Sequence, residues 1–456
     1  MSFTSVNPAT GLSFAVYSAH THEDVQMRIE SASQAQQRWT VLTIEERVGY
    51  IHQLAVRLEA HVEPVARLIT REMGKPLEQS RAEVLKCAAV CRYMAQIAPA
   101  VLADEYVQAD FASSTIRYEP LGIVFSIMPW NFPLWQFFRF AVPALLAGNA
   151  VLVKHAPSTM GCGMIAVRLC QLAGIDEHLV ADLRISVDDV EGVIADDRIR
   201  AVTFTGSTQG GSAVAALAGT YLKKSVMELG GSDPYIICDD ADIDVAIDMC
   251  VASRMVNTGQ SCIAAKRYIV HQTLADEFIR RTAQRFDQLV VGDPMDQTSQ
   301  LGPLARFDLK EQLMKQVEDA CSAGARIATS RAINDAHDEG FYVNPTLLID
   351  IEQSNPVAQQ ELFGPVAMVH TYHDIDHAIA LANATPFGLG AAVCSRNIEN
   401  AQRIASRLEC GTVFINEVVR SDARLPFGGV KQSGYGRELG RWGMLEFVNV
   451  KNVTIG

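Results

Sequence analysis

Apolar residues recur at three- and four-residue steps from Glu23 to about Ile97, most clearly through RVGYIHQLAVRLEAHVEPVARLITREMG, and predict a helical opening section. The segment DFASSTIRYEPLGIVFSIMP then changes to short alternating stretches, which predict a hairpin followed by a buried strand. Strand-like runs (AVLVKH, AVTFTG, PYIIC) next alternate with helical stretches, for which parallel α/β units are the natural solution. A second series follows Cys262: RYIVH, a helix around LADEFIRRTAQRFDQLV, YVNPTLLI, VAMVHTY, a helix through HAIALANA, and AAVCS. Two α/β units are therefore expected. With no repeat, low-complexity tract or Gly/Ser linker between them, the boundary near residue 230 rests on chemistry more than on composition. The longest apolar stretch, Phe137 to Val153, is broken by Arg139, Pro143 and Gly148, and reads as a buried helix followed by a buried strand rather than a membrane span.

At 456 residues the chain is long enough for two or three compact units, at roughly 100–200 residues each. Hydrophobic residues at 48% and charged residues at 20% place it among folded globular proteins. The balance of 39 basic against 52 acidic side chains gives −13, which repels a phosphate backbone or an anionic membrane surface. Neither nucleic acid nor membrane is an expected partner. MSFTSVNPATGLSF has no basic n-region or apolar h-region, so no secretory signal is expected. Ten cysteines without CxxC pairs predict free thiols in a reducing compartment, the cytoplasm. Cys87 and Cys91, four apart on a helical pattern, read as small core side chains. His20 with His22, and His373 with His377, lack the partners of a metalloenzyme motif, so no metal site is expected.

Three polar residues stand in settings that suit chemistry. Cys262, in NTGQSCIAAKR, is surrounded by small residues that leave a sulfur accessible, although such a cysteine alone is more often inert core. Glu228, in MELGGSDP, ends an apolar strand segment just before a Gly-Gly turn; it is either a base or a glutamate in a solvated turn. Asn131, in PWNFP, lies in a loop stiffened by two prolines, as an amide donor to an oxyanion or the closure of an Asx turn. FTGSTQGG places Gly206, Gly210 and Gly211 between a strand and a helix, where backbone N–H groups can meet phosphate. Gly161, Gly163 and Ala166 fit G-x-G-x-x-A more sharply. They come several residues after their strand, beyond Ser158, a candidate helix N-cap, and are expected to be helix-packing positions.

Together the motifs resemble the aldehyde dehydrogenase superfamily over nearly the whole chain: NPATG, PWNFP, VLVKHAP, FTGS, ELGGSDP, NTGQSC, ELFGP and PFGGVKQSGYGRE appear in the family's order. The short length and RSDARLPFGG look most like the succinate-semialdehyde branch. The resemblance implies a Rossmann-like cofactor domain (1–108 and 122–230), an α/β catalytic domain (231–441) and a small β oligomerisation element (109–121 and 442–456). It implies a homodimer or homotetramer, since a hairpin leaving its own domain exposes strand edges. It also implies oxidation of an aldehyde with NAD or NADP. Cys262 would be the nucleophile, Asn131 with the Cys262 N–H the oxyanion hole, and Glu228 the base that activates water against the thioester.

For the cofactor, the family pattern implies Lys154 at the adenosine ribose, Gly206 and Ser207 at the pyrophosphate, and Glu361 with Phe363 at the nicotinamide ribose. Pro129, Trp130, Ala156, Pro157, Leu229 and Gly230 complete the cofactor set. Many NAD-selective relatives have a glutamate three residues after the lysine. Here that residue is Pro157, so a 2′-phosphate would meet no like charge. For the substrate, the resemblance implies Arg139 and Ser421 on a remote carboxylate, with Trp135 and Arg420 beside them and Arg424 as a further candidate; by itself Arg139 also reads as a helix-end charge paired with an acid. Val256 replaces an arginine of one branch, and Ala264 a second cysteine of some relatives, so no local disulfide switch is expected. Two other readings compete. A thiol hydrolase would need a histidine partner for Cys262, and a non-catalytic relative would have lost Cys262 or Glu228, both of which are present.

Overall fold

The computed structural model describes residues 1–337 and 339–456. A hairpin of β1 (Ser2–Asn7) and β2 (Leu12–Ser18) opens the chain, before α1 (His22–Thr40), α2 (Ile44–Ala60), α3 (Val62–Met73) and α4 (Leu77–Val101). These helices begin and end where local chemistry dictates. Thr21 with Asp24, and Thr43 with Glu46, close reciprocal capping boxes, and Gly74 ends α3 in the left-handed conformation. By length and composition α4 is apolar enough to cross a membrane. Here it packs against α2, α3 and α5, with Val84, Cys87, Val90, Cys91 and Met94 buried.

Next come β3 (Glu105–Tyr106), β4 (Ser113–Pro120), β5 (Ile123–Ile127), α5 (Trp135–Leu146), β6 (Ala150–Lys154), α6 (Met160–Leu172), β7 (Val180–Asp182), α7 (Val190–Ala195), β8 (Ile199–Thr205), α8 (Thr208–Thr220) and β9 (Lys224–Glu228). The chain then enters a second sheet with β10 (Asp233–Ile237), α9 (Ile243–Met255), β11 (Ala265–His271), α10 (Ala275–Asp287), α11 (Phe307–Ser322), β12 (Arg326–Ile327), β13 (Thr346–Ile349) and β14 (Val366–Tyr372). It finishes with α12 (Ile375–Asn383), β15 (Phe387–Gly388), β16 (Gly390–Cys394), α13 (Ile398–Ala405), β17 (Thr412–Ile415), β18 (Val430–Lys431), β19 (Gly434–Tyr435), α14 (Gly440–Leu445) and β20 (Val448–Ile455).

The first sheet has the order β19-β9-β8-β5-β6-β7 and is parallel except for β19. The second has the order β12-β13-β14-β11-β10-β16-β17 and is parallel except for β12. A third, antiparallel sheet β20-β4-β3 joins the hairpin to the C-terminal strand, from Val448 opposite Pro120 to Ile455 opposite Ser113. The passage between the large sheets falls between Glu228 and Asp233. Two details differ from the sequence reading: the hairpin begins at Glu105, and β19, inside the segment expected for the second unit, pairs back onto β9 through Gly434 and Glu228. Such a return pairing leaves no trace in hydrophobic periodicity.

The G-x-G-x-x-A match resolves as packing. Gly161 and Gly163 lie on α6, where a Cβ on Gly163 would approach the His155 Cβ to 2.7 Å and one on Gly161 would approach the Tyr17 hydroxyl to 2.6 Å. The free N–H groups at this helix start are already taken. Gly161 N and Cys162 N donate to the buried Glu72 carboxylate at 3.0 and 2.8 Å, and Ser5 Oγ donates to it at 2.5 Å. Ser158 belongs to a short 3-10 turn ahead of the helix and does not cap it.

Glu72→Ala leaves these three donors unpaired. It should lower stability by about 1–3 kcal/mol in urea unfolding, with cofactor affinity unchanged; a loss of cofactor affinity at retained stability would return the phosphate to this loop.

Candidate active site

Cys262 ends a loop that begins after α9 and is folded against its own preference. Asn257 and Thr258 both have φ of 53°, and Gly259 follows at 76°. Two consecutive non-glycine residues in the left-handed region, one of them β-branched, need outside support. It comes from every side. Asn257 Nδ2 donates to Asn131 O at 2.8 Å and to Gln260 O at 3.0 Å, while Asn257 N donates to Gln79 Oε1 at 2.7 Å. Thr258 Oγ1 accepts from Gly302 N at 3.1 Å, and Gln260 Oε1 accepts from Ala305 N at 2.9 Å. The buried Lys266 ammonium donates to Ser261 O at 2.8 Å and Cys262 O at 2.7 Å, and pairs with Glu361 at 3.3 Å.

Asn131 is brought to the same place. Its Nδ2 crosses the seam to donate to Gln260 O at 3.1 Å instead of closing an Asx turn. The loop that carries it is held by α4: Glu83 Oε1 accepts from Leu134 N and Trp135 N at 2.9 and 3.0 Å, capping the start of α5. Lys75 neutralises Glu83 in a fully buried ion pair and lies 3.9 Å from the centroid of the Phe132 ring.

Glu228, at the end of β9, is buried, and its Oε1 has no hydrogen-bond partner. Burial raises its pKa well above the usual carboxyl range, and the neighbouring Glu438 adds to the rise; Arg139 and Arg437 oppose it. Cys262 is half-buried, and desolvation pushes its thiol up to about 12 against the opposing positive charges of Arg139 and Lys266. The groups that act on the thiol are Arg139, Lys266, Glu361 and Asp233, and none is an imidazole. This disfavours the hydrolase reading.

The arginines expected to meet a substrate carboxylate are placed differently from the sequence reading. Arg139 is 2% exposed, paired with the equally buried Glu438, with its guanidinium 4.7 Å from the centroid of the Phe427 ring. The Arg139 charge therefore has a counterion within the protein. Arg424 is bidentate to Asp422 at 2.6 and 2.8 Å, and the exposed Arg420 pairs with Glu417 at 3.4 Å. Ser421 and Trp135 are buried together, and between them stands Lys86, a residue absent from the sequence-based set. Lys86, Glu83, Lys266 and Glu438 were all missed. Lys266 and Glu438 stand in quoted motifs, whereas Lys86 lies in an ordinary helical pattern that gives no signal.

The expected cofactor residues lie at or after the C-terminal ends of first-sheet strands, except Glu361 and Phe363, which precede β14 of the second sheet. Lys154 ends β6, is buried, and among the described residues has no ion-pair partner; burial lowers its pKa. Ser158 Oγ is enclosed without a hydrogen bond, and Pro157 and Ala156 stand at the turn between them. Gly206 and Ser207 start α8, where Ser207 Oγ accepts from Gly210 N at 3.2 Å. Pro129 and Trp130 follow β5, and Trp130 meets Phe363 edge-on at 5.7 Å. Glu361 accepts from Gly231 N at 3.1 Å, and Leu229 and Gly230 are tied to Ser433. An unpaired buried ammonium beside an orphaned hydroxyl fits a phosphorylated ribose.

The raised thiol sets an expectation for the protein without substrate. Thiolate is the nucleophile, so alkylation of Cys262 by iodoacetamide should accelerate across the whole alkaline range below about pH 12. A plateau at neutral pH in labelling followed by mass spectrometry would instead assign a thiolate already formed at rest.

The model of the aldehyde dehydrogenase family matches residues 1–453. The probable succinate-semialdehyde dehydrogenase [NADP(+)] of Synechocystis sp. is 46% identical over 456 residues, covering 100% of both chains. The succinate semialdehyde dehydrogenase [NAD(P)+] Sad of Escherichia coli is 43% identical, covering 98% of this chain and 97% of its own. Among solved structures, the Streptococcus pyogenes succinic semialdehyde dehydrogenase in complex with NADP+ superposes with a TM-score of 0.97 at 34% identity, covering 99% of each chain. The betaine aldehyde dehydrogenase of Staphylococcus aureus, in complex with NAD+, superposes with a TM-score of 0.95 at 30% identity, covering 99% of this chain and 91% of its own. With its motifs in order, its two largely parallel sheets and its full-length relatives, this chain belongs to the aldehyde dehydrogenase family.

Proposed function

We propose that the protein oxidises succinate semialdehyde to succinate with NADP or NAD, using Cys262 as nucleophile, Asn131 in the oxyanion hole and Glu228 as base. The observation that supports the reaction is that one buried charge, Arg139, acts on both the Glu228 carboxyl and the Cys262 thiol, while Asn131 Nδ2 donates to Gln260 O two residues before that thiol. The substrate rests on relatives of 46% and 43% identity, over nearly their whole lengths, that carry that name.

In this reading Cys262 Sγ adds to the aldehyde carbon, and the resulting oxyanion takes hydrogen bonds from Asn131 Nδ2 and the Cys262 N–H. Arg139 and Lys266 favour the thiolate, since each positive charge lowers the thiol pKa. The nicotinamide, when bound, accepts the hydride that leaves the thiohemiacetal carbon. Glu228 then removes a proton from the water that attacks the thioester, and its raised pKa makes it a stronger base once ionised. Lys154, Gly206, Ser207, Glu361 and Phe363 would hold the dinucleotide. NADP suits the chain because Pro157 puts no carboxylate beside Lys154, and relatives named for NADP(+) agree.

A homo-oligomer follows from the third sheet, where Tyr106, Phe111, Val450 and Ile455 are exposed apolar residues on or beside strands with open edges. Ten free cysteines suit a reducing compartment such as the cytoplasm.

Cys262→Ala should abolish turnover while NADPH binding, read by fluorescence, persists. Glu228→Gln should give a stopped-flow burst of reduced cofactor and then stall; disappearance of the burst would move Glu228 to an earlier step. Pro157→Glu should raise KM for NADP by about tenfold or more relative to NAD, because a carboxylate would face the 2′-phosphate. Equal changes for both cofactors would remove Pro157 from the ribose.

A further inference from the structure

Lys266 is the second residue of β11 and is fully enclosed, yet its ammonium turns back onto the loop that precedes its own strand. Nζ donates to Ser261 O at 2.8 Å and to Cys262 O at 2.7 Å, lies 3.4 Å from Ala264 O, and pairs with Glu361 Oε1 at 3.3 Å. A lysine ammonium has three hydrogens, so all of them are spent within the protein. Burial works against the charge, while Glu361 and Asp233 support it. Enclosing an ammonium is costly, and here its donors are directed at the two peptides that flank the thiol residue.

The consequence follows from peptide planarity. Ser261 C=O and Cys262 N–H belong to one trans peptide and point in opposite directions from it. Ser261 O is gripped by the buried Lys266 and also accepts from Ala264 N at 3.3 Å. The Cys262 N–H is thereby turned away from the ammonium, and among the described residues it meets no protein acceptor. The peptide before it is anchored in the same manner, because Gln260 O accepts from Asn131 Nδ2 at 3.1 Å and from Asn257 Nδ2 at 3.0 Å.

We infer that Lys266 is a positioning residue for the oxyanion hole: by holding Ser261 O it aims the Cys262 N–H at the oxygen of the reacting carbonyl. This rests on the reading of Cys262 as the nucleophile. A charged donor on the carbonyl also polarises the peptide and strengthens its N–H as a donor. The role is separate from the effect of the same charge on the thiol. The pair with Glu361, whose Oε1 accepts from Gly231 N at 3.1 Å, ties the thiol loop to the turn after β9 and to the segment before β14.

Two reactions of the same sulfur, run without cofactor, separate aiming from nucleophilicity. With p-nitrophenyl acetate, Cys262 Sγ adds to the ester carbonyl, an oxyanion forms, and p-nitrophenolate leaves as the acetyl thioester is made. With iodoacetamide, Sγ displaces iodide at a saturated carbon and no oxyanion forms. Lys266→Met should lower the ratio of the acylation rate constant, read as the p-nitrophenolate burst, to the alkylation rate constant by about ten- to a hundredfold. A change in thiol pKa or in exposure of the loop moves both reactions and leaves the ratio where it was. The double variant Lys266→Met with Glu361→Gln, which leaves no unpaired carboxylate behind, should show the same fall and stands in if the single variant does not fold. An unchanged ratio in either folded variant overturns the inference. The wild-type protein supplies a check that needs no variant: in a crystal structure of the Cys262 thioester, the acyl oxygen should lie about 3 Å from Cys262 N with Lys266 still on Ser261 O. A flipped peptide between Ser261 and Cys262, or an acyl oxygen turned away from Cys262 N, overturns it equally. Wild-type protein that neither acylates at Cys262 nor reduces NADP with succinate semialdehyde overturns the nucleophile reading itself, and the Lys266 assignment with it.

Discussion

The strained turn at Asn257, Thr258 and Gly259 is the constraint on which the active site depends. Two non-glycine residues in left-handed backbone cost on the order of 1–3 kcal/mol each, which no local sequence recovers. The surrounding fold recovers it through hydrogen bonds to three separate regions: Gln79 on α4, Asn131 after β5, and the segment of Gly302 and Ala305 ahead of α11. The turn can keep its shape only when those elements are docked. Cys262 is consequently positioned by the assembled protein, and the same bonds tie Asn131 to the loop that carries the thiol.

Buried charge is organised around the same seam. Lys75 with Glu83 fixes the start of α5, Lys266 with Glu361 ties the thiol loop to the second sheet, and Arg139 with Glu438 underlies Glu228. Each pair satisfies ions that would otherwise be expensive to enclose. Lys86 and Lys154 differ, since each is enclosed without an acidic partner in ion-pairing distance among the described residues. In a protein of net charge −13, an anionic ligand is attracted by such local unpaired cations and not by the overall field.

The amino-acid sequence by itself determined the elements and nominated the candidate reactive groups. The three- and four-residue periodicity before Ile97 became α1 to α4, and the apolar runs around AVLVKH and AVTFTG became β6 and β8, the parallel strands that flank β5 in the first sheet. Cys262, Glu228 and Asn131 stood out as candidates because glycine, proline and small residues surround them at short range, and the packing role of Gly161 and Gly163 was legible from their distance from the strand. Only the tertiary structure decided which charges remain available. Arg139 read as either an open or an acid-paired guanidinium until Glu438, about three hundred residues away in sequence, closed on it, and Lys86 had no signal until Ser421 and Trp135 enclosed it. The physical reason is range: helical period, capping and turn chemistry act over a few neighbouring residues, whereas the desolvation and pairing of a charge depend on every element that packs against it.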